Sequence, residues 1–445
     1  MYKKQYLQQL QDIFDRVTND TAVLYGSEEN GLLEILSDFI KDKDCFYYRA
    51  QDVCESVQKE LFASELHEQT KFPIFPDVSY EKLLDTYVND HSEKKKLIVF
   101  DGFQFIVREN PTFINFLSNL ISERAASGTV MYLLSSDDID WIENDMIRLT
   151  GRKSYEIAGV IKLNDHTPTE MFSLFSDMDQ KELMGIYSVI GGKSRYYNGL
   201  NDSSTVHDVV ISLLNDYYNA PPGAVRFLPK DIREPQLYNS ILVHLAAGRG
   251  KLNDLYVSTG VERAKLSVYL RTLIKCGIVE KAGTAFYRVK DPMVRFYYRF
   301  VYPSLSSLFI LGPERFYRKF IEHDLPGYIE DFYPFFCMEH IRWLDSARRL
   351  NFKVAAIEEY HDKARVIDFI IVAAGGSVIA CACRYAGPHM SFSTYEKVKN
   401  SVRKEKLICD NVWLFSASGF DQKLSMFGSV TPGVRLIDGT HVDAD

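Results

Sequence analysis

Three sets of residues have the type and spacing to do chemistry. The first lies in the stretch Val23-Leu24-Tyr25-Gly26-Ser27-Glu28-Glu29-Asn30-Gly31-Leu32-Leu33. Gly26 and Gly31 bracket four residues between a short apolar run and an amphipathic one, the spacing of a phosphate-binding loop between a strand and a helix. Backbone N–H groups at such a helix N-terminus hold anions. The lysine and the hydroxyl residue that should come next are Leu32 and Leu33. A charge-assisted hydrogen bond contributes roughly 1.5–3 kcal/mol, and both the phosphate and the Mg²⁺ contact lack their side chains here. Glu28 and Glu29 would also repel a polyphosphate. The spacing alone fits a plain glycine-rich turn better.

The second set is Asp101, at the end of Leu97-Ile98-Val99-Phe100. An apolar run of four reads as a buried parallel strand, and an aspartate at such a strand end holds Mg²⁺ in phosphoryl-transfer sites. The next residue is Gly102, so no carboxylate follows to polarise a water. The third set is Asp368 in Val366-Ile367-Asp368-Phe369, followed by Ala380-Cys381-Ala382-Cys383-Arg384. A metal-dependent nuclease needs an acidic residue on one strand and Glu-x-Lys on the next. Ala382 and Arg384 stand at the Glu and Lys positions. One carboxylate does not hold a hard divalent cation, and Arg384 stays protonated. Glu339 could add a carboxylate, although a solvated helix glutamate fits it as well. We therefore expect no cleavage here, and an ion pair between Asp368 and Arg384.

Elements must position these groups. A helix is expected over 4–17, strands at Val23–Tyr25, Cys45–Ala50, the run ending in Asp101, and Val130–Leu134 before Ser135-Ser136, with helices between. Alternation of this kind implies a right-handed parallel α/β sheet. Ligands bind beyond the carboxyl ends of such strands, where Gly26–Gly31, Asp101 and Ser135 all fall. Residues 165–215 read as small helices, with Gly191-Gly192 as a turn.

From Leu237 to Val289, two helices, a turn with a capping box at Thr259-Gly260-Val261-Glu262, a third helix and a hairpin spell a winged helix-turn-helix. Between Gly248 and Tyr302 eleven basic residues face four acidic ones, a local +7 in a chain of net charge −8. Such a basic island is an electrostatic footprint for DNA. Arg263, Lys265, Ser267 and Arg271 are the candidates on the third helix. The same segment also fits a regulatory arm that packs on the rest of the chain.

The 445 residues allow about three domains. Seven scattered cysteines suit a reducing, cytoplasmic setting, and none has zinc-site spacing. No apolar run reaches membrane-spanning length.

Further motifs are Leu149-Thr150-Gly151-Arg152, Gly191-Gly192-Lys193-Ser194-Arg195-Tyr196, Tyr238-Asn239-Ser240-Ile241-Leu242, Asp291-Pro292-Met293-Val294-Arg295-Phe296-Tyr297-Tyr298-Arg299-Phe300 and Phe415-Ser416-Ala417-Ser418-Gly419-Phe420. With the glycine loop and Asp101-Gly102-Phe103-Gln104, they run in order over nearly the whole chain. In them the sequence resembles archaeal and bacterial P-loop ATPases of the AAA+/STAND type that carry a C-terminal restriction-endonuclease-like domain. The resemblance implies a multidomain α/β protein: a P-loop parallel α/β sheet (1–160), a helical lid (161–225), a winged helix-turn-helix (226–302), connecting helices (303–330) and the nuclease-like domain (331–445). It also implies nucleotide contacts at Gly26, Ser27, Asn30, Gly31, Asp101, Ser135 and Arg152, the last facing a phosphate or a neighbouring subunit.

Three sites depart from the catalytic pattern, which leaves Asp101, Asp368 and Arg384 as vestiges. The first reading is a catalytically degenerate ATPase-like protein, binding double-stranded DNA or another protein, with no required cofactor. A second is a working ATPase using ATP and Mg²⁺, with Lys193, Arg195 or a partner chain supplying the cation. A third is a metal-dependent DNA endonuclease.

Overall fold

The computed structural model describes residues 2–439 except 19, 72–78, 89–94, 115, 117–129, 147, 149–156, 221–226, 229–231, 283–285, 361–365 and 410. The chain divides into two compact units, residues 1–165 with 193–198, and residues 166–192 with 199–445.

In the first unit the strands are β1 (Asp20–Tyr25), β2 (Asp44–Arg49), β3 (Lys96–Asp101), β4 (Val130–Ser136) and β5 (Ile157–Lys162). They form one all-parallel sheet in the order β2-β3-β4-β1-β5. The helices are α1 (Tyr2–Phe14), α2 (Leu32–Ile40), α3 (Glu55–Thr70), α4 (Tyr80–Val88) and α5 (Phe103–Glu109). A parallel sheet needs cover on both faces, and the strands alternate to supply it. Val23, Tyr25, Phe46, Tyr48, Ile98, Phe100, Tyr132 and Leu134 enter a core shared with α3, α4 and α5. Ala22, Leu24, Leu97, Val99, Met131 and Leu133 enter the opposite core with α1 and α2. The expected strands are present; β1, β3 and β4 run longer than expected, and β2 is shifted back by one residue. Strand β5 was not expected: it carries Gly159, and Val160 is exposed. Most of the stretch between α5 and β4, where a helix is expected, lies outside the described residues.

In the second unit, helices α6 (Pro235–Ala246), α7 (Leu252–Thr259) and α8 (Arg263–Lys275) precede an antiparallel hairpin of β6 (Val279–Ala282) and β7 (Phe286–Val289). The buried face of α8 is Leu266, Tyr269, Leu270 and Leu273. The expected capping box is not formed. Thr259 is the last residue of α7, its Oγ1 donates to the Leu255 carbonyl at 2.7 Å, and Gly260 at φ +68° ends that helix. Glu262 stands at the N-cap of α8 without a side-chain cap bond.

The same unit ends in α9 (Tyr333–Ser346), β8 (Val354–Glu359), β9 (Phe369–Ala373), β10 (Val378–Arg384), α10 (Phe392–Lys404), β11 (Asn411–Ser416), α11 (Gln422–Val430) and β12 (Val434–Asp438). Its sheet runs β12-β11-β10-β9-β8, antiparallel from β8 to β10 and parallel from β10 to β12. A helix, three strands, a helix and a strand make up its first part. The closing α11 and β12 are additions to it.

Candidate functional site

The glycine loop leaves β1 at its carboxyl end. A Cβ on Gly26 would lie 2.7 Å from the Leu163 side chain, and Gly26 sits at φ +153°, so a side chain here meets both strain and collision. Glu28–Asn30 form a single 3₁₀ turn, and Gly31 at φ +77° turns the chain into α2. The N–H of Asn30 donates to the Ser27 carbonyl at 3.0 Å and that of Gly31 to the Glu28 carbonyl at 3.1 Å. These two donors are spent inside the loop. Leu32 is buried in the core with Tyr6, Leu10, Ile35 and Leu36, and Leu33 packs against it.

Asp101 is buried and its carboxylate is taken by neighbours. Ser135 Oγ donates to Oδ1 at 2.6 Å. Tyr47 Oη donates to Oδ2 at 2.7 Å. Arg49 is the residue opposite Asp101 in the β2–β3 ladder, and its Nε lies 3.6 Å from Oδ2. The Arg49 Nη2 reaches Glu28 Oε1 in the glycine loop at 2.9 Å. One guanidinium thus links the strand-end aspartate to the loop. Burial, aided by the bond to Asp101, raises the Tyr47 phenol well above its ordinary pKa, so it stays a donor at neutral pH. Three residues after Asp101, Gln104 Nε2 donates to Asp137 Oδ1 at 2.8 Å.

On the other side of the loop, Asn30 Nδ2 donates to Asp165 Oδ1 at 2.8 Å. The Lys193 ammonium meets the same oxygen at 3.1 Å, and Lys193 is buried. Ser27 Oγ, Asn30 Oδ1 and Ser194 Oγ are buried without a hydrogen-bond partner. At the C-terminal ends of β1 and β5, Tyr25 donates to Glu143 at 3.3 Å and Lys162 pairs with Glu143 at 2.5 Å. Burial and Glu143 push the Tyr25 phenol up to about 12.

Of the expected nucleotide contacts, the structure brings Gly26, Ser27, Asn30, Gly31, Asp101 and Ser135 to the carboxyl ends of neighbouring strands. Arg152 lies outside the described residues. Arg195 is exposed. Tyr47, Arg49 and Asp165 were missed. The signal was available for the first two: they are polar residues at the end of an otherwise apolar strand, where ligands of such sheets bind.

A magnesium triphosphate does not fit these residues as they stand. The lysine position is in the apolar core, the Asp101 oxygens are occupied, and Glu28, Glu29 and Glu34 surround the loop. A Cβ on Gly31 would lie 3.3 Å from Glu34 Oε2, so that carboxylate already stands near the N-terminus of α2.

The residues expected at nuclease positions lie in and beside the C-terminal mixed sheet. Asp368 Oδ2 accepts the N–H of Cys383 at 2.7 Å. The ion pair expected between Asp368 and Arg384 is not formed, and Arg384 is exposed. Glu339 pairs with Arg342 on its own helix. Among the described residues no group of three or more His, Cys, Asp or Glu could hold a metal ion.

On α8 two of the four basic-face candidates are tethered. Arg263 donates to Asn253 Oδ1 at 2.7 Å and lies over the Tyr256 ring. Lys265 pairs with Glu234 at 3.2 Å. Ser267 Oγ donates to the Arg263 carbonyl at 2.9 Å, and Arg271 is exposed. The basic island is partly neutralised by acidic neighbours: Arg295 pairs with Asp331 at 2.6 Å, and Arg288 of β7 lies 2.6 Å from Glu280 and 2.6 Å from Glu359 of β8.

A parallel five-stranded sheet with β4 between the glycine-loop strand and the aspartate strand is an α/β core of the P-loop ATPase type, and a separate mixed sheet closes the chain. Residues 297–399 match the DUF234 family, described as archaea bacterial proteins of unknown function. An uncharacterized protein of Methanocaldococcus jannaschii is 22% identical over 384 residues, 83% of each chain. A Walker-type ATPase of Pyrococcus abyssi superposes with a TM-score of 0.47 at 13% identity, over 67% of this chain and 96% of that one. The ORC2 protein of Aeropyrum pernix gives 0.40 at 14% identity, over 65% and 89%. No described helix is long and apolar enough to cross a membrane.

Proposed function

We propose that the chain is a catalytically silent ATPase-like protein that binds double-stranded DNA through α6–β7, used as a winged helix. The observation that carries the silent half is the Arg49 guanidinium between Asp101 and Glu28. A fixed cation there takes the place of the metal and of the phosphate-binding lysine. Leu32 in the core removes the route by which a side chain at that position could reach a phosphate. Calorimetric titration with ATP and Mg²⁺ tests it. No binding heat is expected, and micromolar affinity would refute the reading.

The DNA half is supported by the basic island and by the exposed side of α8. Exposed positive charge that neutralises phosphates releases counterions, so affinity should fall steeply with salt. Arg271→Glu should weaken a duplex shift and flatten that dependence. The nuclease-like sheet serves as a packing domain in this reading, and plasmid incubated with Mg²⁺ or Mn²⁺ should stay intact.

Lys193 supports a second reading, a working ATPase with its cation supplied from another segment. The ammonium is buried beside the loop, although it is committed to Asp165. ATP turnover that disappears in Lys193→Ala would establish that reading over the first.

A further inference from the structure

The outermost line of α8 differs from the set that sequence spacing suggested. With 3.6 residues per turn, the positions opposite Leu266, Leu270 and Leu273 are Ala264, Val268, Arg271 and Lys275, and all four are exposed. Val268 is 55% exposed at the crest of the helix. Arg263 and Lys265 stand to either side, held by Asn253 with Tyr256 and by Glu234. The N-terminal half of the crest is therefore apolar and short. The C-terminal half is cationic.

A helix in the major groove presents its N-terminal half to base edges and other parts to phosphates. Base edges in that groove offer hydrogen-bonding groups and one apolar group, the C5 methyl of thymine. Ala264 and Val268 carry no donor or acceptor, so the methyl is the feature they can read. The charge around them favours a polyanion over an apolar protein surface.

We infer that α8 selects A·T steps by packing Val268 and Ala264 on thymine methyl groups, with Arg271 and Lys275 on the flanking phosphates. This rests on the DNA-binding reading above. The specificity is one of shape and apolar contact: Arg263 and Lys265 are tied down beside the crest and frame it, and the crest makes no hydrogen bond to a base. Val268 is then the specificity-determining residue. Arg271 contributes affinity alone.

The test uses the full chain and two short alternating duplexes of identical sequence, one with thymine and one with uracil at every T position. Uracil lacks only the C5 methyl. Burying one methyl-sized group is worth about fourfold in affinity, so anisotropy titrations should show the thymine duplex bound about fourfold more tightly per methyl contacted. Val268→Ser, a surface change, should cut the preference for the thymine duplex to the remainder that Ala264 supplies. Arg271→Ala should weaken both duplexes by the same factor. Equal affinity of the wild-type chain for the two duplexes would overturn the inference and leave the DNA reading standing, as would a thymine preference that is undiminished in Val268→Ser. Failure to bind either duplex would overturn both and favour a protein partner for this face.

Discussion

Arg49 faces Asp101 across the β2–β3 ladder, with its Nε 3.6 Å from the carboxylate, and its Nη2 holds Glu28 of the glycine loop at 2.9 Å. The pair joins a buried anion to a guanidinium that is half exposed. Water screens part of such an interaction, while the carboxylate left behind would be a buried charge with two neutral donors.

Arg49→Ala is expected to cost about 1–2 kcal/mol and to lower the thermal midpoint of the first unit. Adding Asp101→Asn should recover part of that loss, because Tyr47 and Ser135 can still bond a neutral amide. Thermal melts of the two single variants and the double variant give the coupling. Additive effects would show that the pair does not interact.

Rebuilding the missing lysine should not rebuild a nucleotide site. Leu32 is 2% exposed in a core with Ile35 and Leu36. Leu32→Ala should cost about 2–5 kcal/mol, the usual range for a buried leucine. Leu32→Lys with Leu33→Thr should lower stability and still show no ATP binding by calorimetry, because Arg49, Ser135 and Tyr47 keep Asp101 engaged. Recovery of Mg²⁺-dependent binding in that double variant would place the defect at those two residues alone.

His340 gives the C-terminal sheet a pH dependence. Burial, with Arg435 nearby, lowers its imidazole to about 4 from 6.5. The unfolded chain therefore binds more protons than the fold between those values. Stability is complete above pH 6.5 and falls as pH drops through 6.5 toward 4, by up to about 3 kcal/mol. Urea melts at neutral and at mildly acidic pH should differ less in His340→Gln than in the parent chain. An equal difference in both would assign the acid sensitivity to other groups.

Arg288 ties the hairpin to the C-terminal sheet through Glu359, which is only 17% exposed. Losing the guanidinium leaves that carboxylate largely desolvated. Arg288→Met should cost about 1–3 kcal/mol, and Glu359→Gln in the same chain should return much of it. Limited proteolysis within β6–β7 should speed up in Arg288→Met if the pair restrains the hairpin, and an unchanged cleavage rate would show that it does not.

Much of the first unit was legible because buried parallel strands announce themselves as apolar runs. Leu97–Phe100 and Val130–Leu134 could hardly be anything else, and the two glycines put the loop after β1. Strand β5 escaped because it is an edge strand interrupted by Gly159, with Val160 facing out. The closing α11 and β12 escaped too. Arg49 escaped for a different reason. It meets Asp101 only when two strands far apart in sequence lie side by side, so no local spacing encodes the pair. The same holds for Lys265 and Glu234: helical periodicity shows which side of α8 faces out, but not which of its charges are already satisfied.

A counter-ion built into the backbone's own side chains differs from one drawn from solution. Arg49 sits at a fixed effective concentration beside Asp101, so neither a chelator nor a fall in cellular energy charge can strip it away. On the silent reading proposed above, the strand ends around Asp101 should keep one geometry in starved and replete cells alike.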